Sequence, residues 1–200
     1  MTLQTKGLIL TAAMAGLMLP AVAQTAPAKA PATINQRKEN QQDRIANGIQ
    51  SGQLSTGETR NLEKKESEIN HEEHDMRKLD NGHLTAADRA TLNQQQNVVS
   101  KDIYKQKHDA QVQNVNPKSE VGQRQRNQQE RIAQGVKSGQ LTAGEAAHLE
   151  RNQARINRQV RADRRANGGK LTPQERAQVN REQNRQSKQI YRAKHNNRQQ

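Results

Sequence analysis

The sequence predicts an all-α protein that contains two tandem copies of a three-helix unit. Gln, Asn, Arg, Ala, Lys and Glu dominate, while strand-forming residues are sparse and do not alternate with polar ones. The chain also matches itself at a shift of 87 residues, and each copy contains two glycine-centred motifs that end one helix and begin the next. An elongated arrangement of the two copies is one option.

The composition limits what the protein can bury and what chemistry it can carry. Cys, Trp and Phe are absent, and Tyr104 and Tyr191 are the two aromatic residues. The core must therefore be thin and aliphatic. The absence of Cys excludes a disulfide framework, thiol redox chemistry and cysteine-ligated metals.

The N-terminus has the pattern of an export signal. Lys6 precedes an apolar run over residues 7–19, and Pro20 and Ala-Val-Ala at 21–23 follow it, which predicts a signal peptide over residues 1–23. About 13 apolar residues reach ~20 Å as a helix, short of a ~30 Å hydrocarbon core. We expect an exported protein, periplasmic or secreted, without a transmembrane span in the mature chain. A retained N-terminal anchor is the alternative.

The repeat defines the predicted domains. Residues 36–109 (unit 1) align without a gap on residues 123–196 (unit 2), and 34 of the 74 aligned positions are identical. Residues 24–35 read as an Ala/Pro-rich linker. Residues 110–122, which include Asn116-Pro117, read as a hinge.

Each unit contains two corner motifs of the form Gly-x-Leu-Ser/Thr-x-x-Glu/Asp. The glycine supplies a left-handed residue that ends a helix, and the hydroxyl residue with the acid three positions later forms a capping box. The motifs begin at Gly52, Gly82, Gly139 and Gly169. They predict helices near 36–50, 56–80, 86–108, 123–137, 143–167 and 173–195, with Pro173 at a first helical position.

These corners resemble the second half of an EF-hand loop, with Gly at position six, an aliphatic residue at eight and an acid at twelve. An EF-hand also needs oxygen ligands at positions one, three and five, where the first corner has Asn47, Ile49 and Ser51. One acid per loop remains, so the pattern favours helix capping. Binding of a divalent metal at these corners is the alternative.

Two further resemblances rest on the corners. Their tandem Ser-Gly-Gln-Leu-Thr and Asn-Gly-Gly-x-Leu-Thr forms resemble a group of uncharacterised exported bacterial proteins, which implies no activity. The Leu-Thr-Pro-Gln sequence at residues 171–174 resembles a sequence found in periplasmic chaperones of the Spy type. That second resemblance implies a chaperone-like or envelope-stress role as an alternative function.

Charge separates the two units. Unit 1 has 12 Lys or Arg against 13 Asp or Glu, whereas unit 2 has 17 against 6. Helical spacing places cations on one side of each of the last two helices, opposite Leu149, Ile156 and Val160 in one and Val179 and Ile190 in the other. We call them the basic face: Arg151, Arg155, Arg158, Arg165, Arg181, Arg185, Lys188 and Arg192.

The basic face suggests binding of a polyanion or an anionic envelope surface. Arginine favours bidentate phosphate contacts. The near absence of aromatic residues and of any reader motif argues against sequence-specific nucleic-acid recognition. The plainer alternative is that these cations are only the solvated faces of amphipathic helices.

Unit 1 contains one cluster of candidate metal ligands. His71, His74 and Asp75 lie at i, i+3 and i+4, a spacing that can hold Zn, Cu or Ni. The spacing of three between the histidines does not match the metalloprotease motif. Metal binding or buffering is therefore a second functional hypothesis. His108 and His195, each after a Lys at a helix end, are expected to interact with the last carbonyls.

No nucleophile constellation, phosphate loop or catalytic carboxylate pair stands out, so we expect no enzyme activity and no cofactor other than a divalent metal. The core predicted for unit 2 is small, so this unit should be marginally stable alone and need packing against unit 1 or a partner. The sequence leaves the oligomeric state open. The expected core residues are Ile132, Val136, Leu141, Leu149, Ile156, Val160, Leu171, Val179, Ile190 and Tyr191.

Overall fold

The computed structural model describes residues 32–113 and 118–198, which contain six α-helices and no strand. The predicted signal peptide, most of the 24–35 linker and the Asn116-Pro117 step lie outside the described residues. The all-α prediction is confirmed. The helices are α1 (Ile34–Ser51), α2 (Thr56–Leu79), α3 (Ala86–Lys107), α4 (Glu120–Lys137), α5 (Ala143–Ala166) and α6 (Pro173–Lys194).

The four predicted corners form as capped helix junctions. Ser55, Thr85, Thr142 and Thr172 are the N-caps of α2, α3, α5 and α6, and each shares a capping box with the acid three residues later. The corner glycines Gly52, Gly82, Gly139 and Gly169 have φ of 74°, 90°, 69° and 90°. These angles are left-handed, so a side chain there would be strained.

Two helices begin earlier than the sequence predicts. Thr33 caps α1 through a fifth capping box, with Gln36, and Ser119 caps α4 by accepting a hydrogen bond from the amide of Gly122. The last residues of the predicted linker and hinge are therefore helical. Gln113 of the hinge is also ordered, because its amide donates to Gly52 O at 2.9 Å and its Oε1 accepts from the Thr56 amide at 3.0 Å.

The two repeats pack against each other helix by helix. Within each repeat all three helices touch, and between repeats α2 lies against α5 and α1 against α4. Ala46 of α1 packs into the core of unit 2, and the equivalent Ala133 of α4 packs into the core of unit 1. Residues 32–113 and 118–198 therefore belong to one compact body.

Most of the predicted unit 2 core is buried, with two exceptions. Leu171 is half-buried, and Tyr191 is 58% exposed. Tyr191 was wrongly predicted as a core residue. Its ring instead stacks on His195, with ring centroids 4.1 Å apart, at the exposed end of α6.

Glutamine side chains fill core positions that hydropathy does not mark as buried. Gln41 donates to Gln96 O at 2.6 Å, and Gln96 donates to Ile34 O at 3.1 Å. Unit 2 repeats this relay through Gln128 and Gln183, at 2.7 Å and 2.9 Å. All four side chains are buried, so glutamines occupy part of the interior that aliphatic side chains would otherwise fill. Their hydrogen bonds join neighbouring helices.

No helix within the described residues combines the length and the apolar character needed to span a membrane.

Candidate polyanion-binding face

Helix α5 contributes four cations to the basic face. Its inner side is fixed by Leu149, Ile156 and Val160, which are buried against the rest of the bundle. This packing turns Arg151, Arg155, Arg158 and Arg165 to the solvent, where all four are exposed. At 1.5 Å per residue the row extends about 21 Å.

Helix α6 contributes the other four cations. Val179 and Ile190 are fully buried, and Arg181, Arg185, Lys188 and Arg192 are exposed on the opposite side. This row extends about 17 Å along the helix. Because α6 packs against α5, the two rows lie on neighbouring helices. The solvent exposure expected from helical spacing is confirmed.

The cations of the basic face are not neutralised. Within the described residues, none of the eight lies within 4.0 Å of a carboxylate, and Arg124 of unit 2 pairs with Glu120 of the hinge at 4.0 Å. Unit 1 differs, because Lys38, Lys64, Lys65, Arg77 and Lys78 each pair with an acid at 2.6–3.8 Å. The positive field of unit 2 is therefore available to an external anion.

Four of the eight cations of the face are specific to unit 2, because unit 1 keeps a lysine at the positions of Arg151, Arg165, Lys188 and Arg192. At the positions of Arg155 and Arg181, unit 1 has Glu68 and Gln94. Val98 occupies the position of Arg185. Two units with the same backbone pattern thus differ mainly in the charge of their exposed sides.

A groove of about 1230 Å³ opens beside one end of the basic face. Both units line it, with His71 and His74 from α2 and His148 from α5. Arg192 of the basic face and Lys38 of α1 also reach it. His148 lies against the basic face, because its Nδ1 is 3.3 Å from Arg151 Nη2.

The structure does not bring the predicted metal ligands His71, His74 and Asp75 into the arrangement of a metal site. All three side chains are exposed, and Asp75 pairs with Lys78 at 3.8 Å. Over residues 32–113 and 118–198, no group of three or more His, Cys, Asp or Glu side chains is arranged to hold a metal ion. Spacing along a helix places residues on one side, but it does not make their side chains converge on one point.

The corner acids are engaged in helix capping. Glu58 Oε2 accepts from the Ser55 amide at 2.8 Å, and Glu145 Oε2 accepts from the Thr142 amide at 3.1 Å. Hydrogen bonds from the side chain and amide of Thr85 lower the pKa of Asp88, and those from the amide and side chain of Thr172 lower the pKa of Glu175. The carboxylates are thus bound to the chain itself, as the capping interpretation predicts.

The histidines at the ends of α3 and α6 interact with carbonyl groups of their last turns, as predicted. His108 is the C-cap of α3 and His195 the C-cap of α6. In each case Nδ1 lies 2.7 Å from the carbonyl oxygen four residues earlier, that of Tyr104 or Tyr191. Each histidine ring also stacks on the ring of that tyrosine, so both exposed tyrosines pack against a histidine of their own helix.

The fold and the face define a small helical protein with an uncompensated cationic surface. No family model, curated protein or solved structure matches the chain. The function is therefore inferred from the chemistry of this surface.

Proposed function

We propose that the chain is an exported, noncatalytic binding module that holds phosphate-rich polyanions on its basic face. A nucleic-acid backbone and an anionic lipid surface offer the same chemistry, closely spaced phosphates. The proposal includes no catalytic step and no metal.

One observation carries the proposal: eight exposed cations on two adjacent helices, none paired with an acid among the described residues. A solvated helix face normally mixes both signs, as α2 does where Lys64 pairs with Glu68 at 3.4 Å. Seven of the eight are arginines, whose planar fork binds phosphate oxygens in pairs.

The contacts should be electrostatic and independent of base sequence. Single-stranded nucleic acid is usually held on aromatic platforms. Here Tyr104 and Tyr191 already stack on histidines of their own helices, at 4.2 Å and 4.1 Å. Affinity should therefore come from phosphate contacts and depend strongly on salt.

The test compares two triple variants of the full chain that lower the net charge equally. Arg151→Glu, Arg155→Glu and Arg158→Glu alter the basic face, while Lys64→Glu, Lys78→Glu and Lys101→Glu alter exposed cations of unit 1. Titrations against duplex DNA and against vesicles with and without anionic lipid should show that the first variant loses most of its affinity. The DNA and vesicle series separate the two sources of phosphate.

The control variant should retain most of its binding, because its cations are outside the face. Circular dichroism must show equal helix content in all three proteins. If both variants lose affinity equally, attraction depends on net charge alone and the basic face is not a binding site.

A further inference from the structure

The contact between α2 and α5, here called the seam, contains carboxyl groups that are buried from solvent. Glu63 on α2 and Glu150 on α5 are equivalent residues of the two repeats, and both are 0% exposed. Glu66, one turn after Glu63, is 1% exposed. Their burial is unusual, because an ionised carboxylate is rarely removed from water without a cation.

Glutamines from the neighbouring helices hold the two equivalent acids. Gln42 of α1 donates to Glu63 Oε2 at 3.1 Å, and Gln129 of α4 donates to Glu150 Oε2 at 3.1 Å. The same two residue types, Gln and Glu, recur at equivalent positions in both units. Each acid is thus anchored by a neutral donor and not by a cation.

The charged groups around the seam do not neutralise these acids. Lys38 of α1 is the cation that acts on Glu66, but its Nζ is bonded to Glu73 at 3.0 Å, and Arg77 also binds Glu73. On the α3 side of α2, Asp102 pairs with Lys65 and Gln95 donates to Glu72. On the α6 side of α5, the neutral Gln186 donates to Leu149 O at 3.0 Å.

Helices α2 and α5 also have a surplus of buried hydrogen-bond acceptors. Within the described parts of α2 and α5, every buried side-chain atom without a partner is an oxygen. The set comprises one oxygen each of Glu63, Glu66, Asn70, Glu150 and Gln153. A proton on each carboxyl would supply a missing donor, whereas ionised acids would leave the shortage in place.

The pKa values of the three carboxyls agree with this geometry. Burial raises the pKa of Glu63 well above its ordinary value, and the nearby Glu66 and Glu150 raise it further. Burial also raises the pKa of Glu66 to about 7 and that of Glu150 to about 8. A hydrogen bond from Gln42 lowers the pKa of Glu63, and one from Gln129 lowers the pKa of Glu150. Neither hydrogen bond cancels the effect of burial.

We propose that the seam is a proton-dependent clasp between the two units, closed while Glu63, Glu66 and Glu150 are protonated and loosened when they ionise. Removal of the protons would place like charges on facing helices in a buried contact, where Lys38, already bonded to Glu73, is the cation that acts on Glu66.

The direction of the pH dependence follows from proton linkage. Below the ordinary glutamate pKa the folded and unfolded chains are both protonated at these sites. Between that value and the raised values, the folded chain holds protons that the unfolded chain has lost. The folding equilibrium constant therefore falls about tenfold per pH unit for each such carboxyl, until pH passes the folded values and the loss is complete.

The test uses the full chain and follows its urea midpoint from about pH 5 to pH 9. The variant with Glu63→Gln, Glu66→Gln and Glu150→Gln removes the titration but keeps the shape, and unit 2 already has Gln153 at the position of Glu66. The control is Glu68→Gln, an exposed residue on α2. All proteins retain the six histidines, so histidine titration cancels between them.

We expect the midpoint of the parent chain to fall with pH, that of the triple variant to stay nearly level, and that of the control to follow the parent. A level parent curve, or an equal fall in the triple variant, would overturn the clasp. An independent measurement is the infrared band of protonated carboxyl groups at about pH 6. The folded parent should show it, and its absence there would overturn the proposal even if the triple variant does not fold.

Discussion

Ser67 of α2 and Gly144 of α5 face each other across the seam. A Cβ atom built on Gly144 would lie 4.0 Å from Ser67 Cβ and 3.1 Å from its Oγ. The close approach of these two residues shows how tightly the first turn of α5 sits against the middle of α2. It also provides a way to fix the two units to each other.

A disulfide should form between cysteines at these two positions. The expected Cβ separation is within the usual range of about 3.5–4.5 Å. The chain has no other cysteine, so mispairing within one molecule is excluded. Ser67→Cys with Gly144→Cys should raise the free energy of unfolding by about 2–4 kcal/mol when oxidised. The measurement is thermal unfolding with and without reductant, and no difference between the two would show that the seam is not in this register.

Two helical glycines should respond to alanine in opposite ways. A Cβ on Gly135 would lie 2.6 Å from Leu141 Cγ, a fully buried side chain, so Gly135→Ala should cost about 1–3 kcal/mol. Gly57 has no such neighbour, its nearest being Ser55 Oγ at 3.9 Å, so Gly57→Ala should stabilise by about 0.4–1 kcal/mol. Urea unfolding of both variants checks the sign, and a neutral Gly135→Ala would contradict this packing.

Loss of a corner hydroxyl should destabilise the helix that it caps. Thr142 Oγ1 accepts from the Glu145 amide at 3.3 Å, so Thr142→Ala should lower the free energy of unfolding by about 0.5–2 kcal/mol. Thr91→Ala is a suitable control, because Thr91 is exposed within α3 and caps no helix. Equal effects of the two changes would mean that the capping box adds little.

Binding of duplex DNA should weaken linearly in a plot of log affinity against log salt. A slope of about −0.9 is expected per phosphate contacted, so five or six contacts would give about −5. Replacing Arg181, Arg185 and Arg192 of α6 by Gln should make the slope less steep by about one for each lost contact. An unchanged slope would place the phosphate contacts elsewhere on the chain.

The helix boundaries and corners follow from the sequence because their causes are local. A capping box joins residues three apart, as Thr172 and Glu175 do, and a left-handed glycine needs no distant partner. The exposure of Arg151 and Arg185 follows from helical periodicity for the same reason. The early start of α4 was missed because Ser119 caps it without the acid or glutamine that marks a capping box.

The tertiary structure alone decided which helices meet and what fills the space between them. Hydropathy assigns Glu63, Glu150 and Gln96 to the surface, yet all three are fully buried. In the sequence, the sign of their burial is that the same residue occupies the matching position of the other repeat, as with Glu63 and Glu150. The convergence of His71, His74 and Asp75 on one point is likewise not set by their spacing, because spacing fixes the side of a helix but not the direction of its side chains. Burial of a polar group depends on partners from other helices, such as Gln42 and Gln129, and such partners lie far away in the sequence.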